Sequence, residues 1–157
     1  MSAAPNPSNL SKNSANQSKR LILASTSKYR KELLGRLGLV FETISPEVDE
    51  APLPNETPEL MAIRLAKAKA LAVSLSNPTA YVIGSDQVVD LNGVAMGKPG
   101  DHANAMAQLQ KLRGQTVKFH TAVCVAHAGS AKTVNAITEV KFRELDDAVL
   151  EAYLLAE

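Results

Sequence analysis

The amino-acid sequence predicts an α/β protein. Leu21-Ile-Leu-Ala and Tyr81-Val-Ile are short, nearly continuous apolar runs, the pattern of strands buried on both faces. Between them Thr57-Pro-Glu has the cap and first-turn proline of a helix start, followed by an apolar-rich stretch to about Leu75. Ser25 to Leu37 offers a second helix directly after the first strand. Strands that alternate with helices in this way belong to α/β architectures.

Composition agrees with one globular domain. A chain of 157 residues, 45% hydrophobic and 21% charged, can bury most of the apolar surface its unfolded form would expose. A formal net charge of +1 supplies no broad field for nucleic acid or an anionic membrane. Tryptophan is absent and aromatic residues are few, which removes a stacking platform for single strands. No apolar run approaches the length of a membrane span. Cys124 is the single cysteine, in keeping with a reducing, cytoplasmic setting. Neither nucleic acid nor membrane is an expected partner.

Taken in order, residues 1–20 are rich in Ser, Asn, Ala and Pro and read as a disordered leader. They lack the apolar core of a secretory signal. The domain runs over 21–157, opening with the strand Leu21–Ala24. In the following helix Tyr29, Leu33, Leu34 and Leu37 share one face, and Gly38 is placed to stop it. A strand that runs into Ser25-Thr-Ser at a helix start makes an anion site from backbone N–H groups, hydroxyls and the helix dipole. Arg30 can add a bidentate grip on phosphate. The same residues also suit a plain helix cap and a solvated arginine.

Phe41-Glu-Thr-Ile reads as a second strand. The proline-punctuated loop after it carries Glu47, Asp49 and Glu50, which would bring clustered carboxylates, suited to Mg²⁺, near a cleft if the loop folds over one. On the long helix Lys67 and Lys69 lie two apart, so at most one reaches a cleft; spacing alone does not choose. Asp86 follows Tyr81-Val-Ile-Gly-Ser at what reads as the end of a buried strand, with Gly84 and Ser85 opening the backbone. A carboxylate there is costly to desolvate unless it faces a cleft, a cation or a metal, and ligands collect at such strand ends.

Asn92-Gly93 is a type I′ hairpin signal that returns Gly97-Lys98-Pro99 toward the strand. The glycine spacing and Pro99 exclude a P-loop, although Lys98 can still hold phosphate as a point charge. Asp101 caps a helix that Gly114 closes. Thr116 to Ala126 alternates as a strand, with Cys124 in the core. The odd spacing of His120 and His127 sends them to opposite faces. A turn at Ala128-Gly-Ser, a strand over 132–142 and a helix capped by Asp146 complete the chain.

Leu23-Ala-Ser-Thr-Ser-Lys-Tyr-Arg, Pro46-Glu-Val-Asp-Glu, Leu65-Ala-Lys-Ala-Lys-Ala, Ile83-Gly-Ser-Asp-Gln-Val and Gly97-Lys-Pro, in that order, resemble the Maf family of nucleoside triphosphate pyrophosphatases. The resemblance extends from about Leu21 through Thr138-Glu-Val-Lys-Phe to the end of the chain. It implies a mixed, twisted β-sheet flanked by helices, with two lobes around a cleft. It also implies hydrolysis at the α-phosphorus of a nucleotide, releasing a monophosphate and pyrophosphate. Asp86 would be the catalytic proton acceptor, and Ser25, Arg30, Lys69 and Lys98 would hold the triphosphate. Glu50 and Asp86 would bind a divalent cation, Mg²⁺ or Mn²⁺. Tyr29 and Gln87, the specificity positions, resemble the branch that acts on 7-methyl-GTP; the branch for ordinary pyrimidine nucleotides such as dTTP and UTP has paired basic residues and threonine there. A catalytically impaired nucleotide-binding protein and a plain α/β interaction module are the alternatives. Family members continue beyond Tyr153-Leu-Leu-Ala-Glu with a segment that returns to the cleft, so an exposed sheet edge and a homodimer are expected of a chain ending at Glu157.

Overall fold

A computed structural model describes residues 19–156. The expected leader therefore lies, apart from Lys19 and Arg20, outside the described residues. The remaining chain forms strands β1 (Leu21–Ala24), β2 (Glu42–Ile44), β3 (Tyr81–Leu91), β4 (Val94–Met96), β5 (Thr116–His127) and β6 (Ser130–Lys141). Helices α1 (Lys28–Gly35), α2 (Pro58–Ser74), α3 (His102–Leu112) and α4 (Asp147–Ala156) alternate with them. The expected α/β class and mixed sheet are both present.

The sheet order is β2-β1-β3-β5-β6, with β4 paired to β3 off this path. β1 runs parallel to both β2 and β3, while β3, β5 and β6 are successive antiparallel neighbours. The chain thus steps from β1 outward to β2 and back across to β3, creating a topological switch point between β1 and β3. Crevices form at the carboxyl ends of strands at such points.

One expectation needs correction. β3 does not end at Ile83; it is a single strand of 11 residues that continues through Gly84, Ser85 and Asp86. Only its parallel pairing ends there, at Ala24↔Gly84, while pairing with β5 runs on from Val82↔Ala126 to Asp90↔Lys118. Glycine and a charged residue weaken strand preference, but the continuous ladder to β5 overrides it. Asp86 consequently stands just past the end of β1, on a strand held rigid by its other neighbour. The role of Gly84 is closeness of packing. A Cβ there would fall 2.5 Å from the Ala70 backbone nitrogen and closer still to the Ala66 carbonyl oxygen.

α2 covers one face of the sheet, and the core lies between them: Ile22, Ala24, Ala62, Ala66, Ala70, Val73, Val82, Val88, Ala122, Cys124 and Ala126 are buried. Thr57 caps this helix by accepting from the Leu60 N–H at 3.2 Å. α1 ends at Gly35, short of the expected stop at Gly38, so Leu37 falls outside the helix; no α1 residue is buried, and Leu37 is 69% exposed. The turns follow their sequence signals. Asn92 and Gly93 both have positive φ between Leu91 and Val94, as do Ala128 and Gly129 between β5 and β6. α3 packs on α4 at the end of the sheet where β5 begins and β6 leaves. No helix among the described residues is long and apolar enough to cross a membrane.

Candidate active site

The site is assembled around Lys69. Its place on α2 is set by the close approach at Gly84, since Ala66 and Ala70 on the same helical face rest against that glycine. Lys69 is buried while Lys67 is exposed, so packing makes the choice that spacing left open. The Lys69 ammonium lies 2.9 Å from Asp86 Oδ1 and 2.6 Å from Glu50 Oε1. Asp86 is 7% exposed, and the buried ammonium answers the desolvation cost of its carboxylate.

Glu50 reaches the ammonium because its loop is tied down from α2. Arg64 donates to both Glu56 carboxylate oxygens, at 2.5 and 2.9 Å, and to the Ala51 carbonyl at 3.1 Å. Asp49 turns back to accept from the Ala51 N–H at 3.0 Å. Of the three carboxylates expected to gather over the cleft, Glu50 is therefore the one placed against Lys69. Among the described residues no group of three or more His, Cys, Asp or Glu is arranged to hold a metal ion. The positioning role of Arg64 had no local sequence signal, because its partners depend on the path of the loop.

Ser25 and Ser27 share the strand-to-helix junction. Ser27 is the α1 cap and accepts from the Arg30 N–H at 3.2 Å, while Ser25 Oγ accepts from the Ser27 N–H at 3.0 Å. These side chains serve as caps and also line a polar cavity of about 330 Å³ together with Arg30, Glu50, Lys69 and Lys98. Lys98 arrives from the far side on the β4–α3 connection, where Gln108 on α3 donates to the Gly97 carbonyl at 2.6 Å.

The Glu50 carboxyl is held below its usual value of 4.5, first by the hydrogen bond from Lys69, with the charges of Lys69, Lys98 and Arg30 adding to it and partial burial opposing. A lowered carboxyl pKa stabilises the folded state above the unfolded value and loses that contribution as pH falls through the folded one. The side chain is 55% exposed, so solvent screens the effect and keeps it small. Wild type is expected to melt slightly above Glu50→Gln at neutral pH. The difference should vanish on acidification below about pH 4.5. Thermal melts of both proteins across that range test this; a gap that widens in acid contradicts it.

Tyr29 and Gln87 do not line the polar cavity, although Gln87 borders a second one beside Asp86. Tyr29 is 68% exposed on α1 and does not line the polar cavity. Gln87 points from β3 to the sheet face opposite Asp86 and donates to Thr121 Oγ1 at 3.1 Å. The two histidines also separate as their spacing requires. His127 stacks on Tyr81 with ring centroids 3.8 Å apart, whereas His120 Nε2 lies 2.9 Å from Asp90 Oδ2. Asp90 Oδ1 in turn accepts from the Gly93 N–H at 2.7 Å, which ties the hairpin leading to Lys98 into the sheet. The pairing of Asp90 with His120 carried no sequence signal, because the two residues are 30 apart in the chain.

A sequence profile described as Maf-like protein matches residues 20–157. The chain belongs to the Maf family. Two curated Maf relatives carry the name 7-methyl-GTP pyrophosphatase. The protein from Paraburkholderia xenovorans (strain LB400) is 54% identical over 149 residues, covering 92% of this chain and 73% of the relative. That from Polaromonas sp. (strain JS666) is 56% identical over 142 residues, covering 89% of this chain and 65% of the relative. This Maf chain thus spans roughly two thirds to three quarters of their length. Among solved structures, a HAM1 protein from Coxiella burnetii superposes with a TM-score of 0.56 at 15% identity, over 82% of this chain and 75% of that one. That likeness is one of fold.

Proposed function

We propose that this Maf chain carries the site of a nucleoside triphosphate pyrophosphatase acting on 7-methyl-GTP. The observation that carries the reading is the buried Asp86–Lys69 pair beside a cavity lined by Ser25, Arg30 and Lys98, in a chain more than half identical to relatives of that name. In the reaction a water oxygen bonds to the α-phosphorus as the bond from that phosphorus to the α–β bridging oxygen breaks. Pyrophosphate leaves, and the nucleoside monophosphate remains. Asp86 takes the proton from water, and it is held for that task by Lys69 and by its ladder to β5. Lys69, Arg30 and Lys98 neutralise the phosphates while the Ser25 hydroxyl positions them, so the protein contributes orientation and charge.

The residues also fit a divalent cation. Glu50 and Asp86 are hard carboxylates that converge on the Lys69 ammonium, at 2.6 and 2.9 Å, close enough together to share a cation beside it. Mg²⁺ is commonly held by one or two carboxylates together with substrate phosphates. Those two side chains would hold it, and it would supply further neutralisation of phosphate charge.

The test is pyrophosphate release from 7-methyl-GTP, GTP, UTP and dTTP, measured side by side with and without Mg²⁺. The expected result is stoichiometric pyrophosphate and monophosphate, with kcat/KM highest for 7-methyl-GTP. A preference for UTP or dTTP overturns the substrate, and release of orthophosphate alone overturns the reaction.

A further inference from the structure

A second cavity, of about 290 Å³, adjoins the polar one and shares Glu50 and Lys98 with it. Its walls are different in kind. Met61 and Leu65 on α2 and Ala95 and Met96 on β4 supply apolar surface, and Asp86, Gln87 and Val88 border it from β3. Lys69 borders only the polar cavity and Asp86 only the apolar one, so their 2.9 Å ion pair marks the boundary.

Resting on the reading above, we infer that this apolar cavity is the nucleoside site, and that Met61, Ala95 and Met96 help to determine which base is accepted. The direction of the substrate follows from charge. Two phosphates of the leaving pyrophosphate need several cations, and the polar cavity offers Arg30, Lys69 and Lys98. The apolar cavity offers Lys98 alone. The α-phosphorus must lie within reach of water held by Asp86, hence at the boundary, and the nucleoside then extends to the Asp86 side. Thioethers are polarisable and adaptable and make favourable contacts with π systems. Methylation at N7 removes a hydrogen-bond acceptor, adds apolar surface and spreads positive charge over the ring. A flat, positively charged base of that kind suits polarisable thioether walls bordered by the Glu50 and Asp86 carboxylates. Of the two specificity positions that the resemblance implies, Gln87 borders this cavity and Tyr29 borders neither.

The test separates the two halves of the substrate by calorimetric titration with 7-methyl-GTP and with inorganic tripolyphosphate, which carries the phosphates alone. Ala95→Leu fills the cavity and Met61→Ala removes part of its wall. Ala95→Leu is expected to weaken 7-methyl-GTP by at least about tenfold and Met61→Ala by about three- to tenfold, the scale of small changes in an apolar pocket. Tripolyphosphate should bind all three proteins within about twofold of one another. Should Ala95→Leu fail to fold, Met61→Ala decides alone. Unchanged 7-methyl-GTP affinity in the variants, an equal loss of tripolyphosphate, or a loss seen only with Tyr29→Ala would overturn the assignment. Wild-type protein that binds neither ligand would instead overturn the pyrophosphatase reading beneath it.

Discussion

Asp86→Asn is expected to cut turnover of 7-methyl-GTP by about 10²–10⁴, the share usual for a general base. Nucleotide affinity should change far less. The asparagine side chain has the same shape and retains an oxygen that can accept from Lys69 Nζ, now 2.9 Å from Asp86 Oδ1. It cannot take the proton from water. Ser25, Arg30 and Lys98, the proposed phosphate-binding groups of the polar cavity, lie outside the pair and are untouched by the change. Steady-state kcat and KM, with tripolyphosphate as a competitive probe, provide the measurement. Wild-type turnover in the variant would remove Asp86 from the reaction. A parallel collapse of tripolyphosphate binding would make it a structural partner of Lys69 instead.

Gly84→Ala is expected to have the largest effect on stability, and through it on the site. The added methyl would sit 2.5 Å from the Ala70 nitrogen and meet the Ala66 carbonyl, both on the backbone of α2. A rotamer change cannot relieve that clash; the helix must move away from β3. Overpacking of this kind costs about 1–3 kcal/mol, and a rigid backbone contact belongs at the upper end. Because Lys69 rides on the same helix, its reach to Asp86 should lengthen as well. Denaturant melts should show a lowered midpoint at nearly constant slope, accompanied by weaker tripolyphosphate binding. A variant as stable as wild type would show that α2 and β3 are less closely packed than the structure has them. Gly93→Ala serves as a comparison, since nothing lies within 4 Å of the position and only its positive φ is strained.

The difference between these glycines illustrates how much could be read in advance. Gly93 was legible because Asn-Gly between two apolar runs names its own turn type, and the turn is local. Gly84 looked like a break in a strand, because its real partner is a helix more than ten residues away in sequence. Asp86 was legible as a carboxylate that needed a reason to be buried. Its ammonium partner was not, since Lys67 and Lys69 are equivalent until the packed face of α2 is known. The motifs that resemble the Maf family named Lys69, which is the buried one of the two and lines the polar cavity.

By itself the sequence determined the order and type of most elements, several caps and turns, the family, and a short list of candidate phosphate-binding and carboxylate residues. These depend on apolar periodicity, on φ preferences and on side chains that bond within a few residues, all of which are short-range. Only the tertiary structure decided that β3 runs on to Leu91, that Glu50 rather than Asp49 turns to Lys69, and that Lys69 and Asp86 divide a polar cavity from an apolar one. Those outcomes depend on the strand order β2-β1-β3-β5-β6 and on how closely α2 lies on β3. Both arise from long-range packing, where each position is set by neighbours that local preferences do not name.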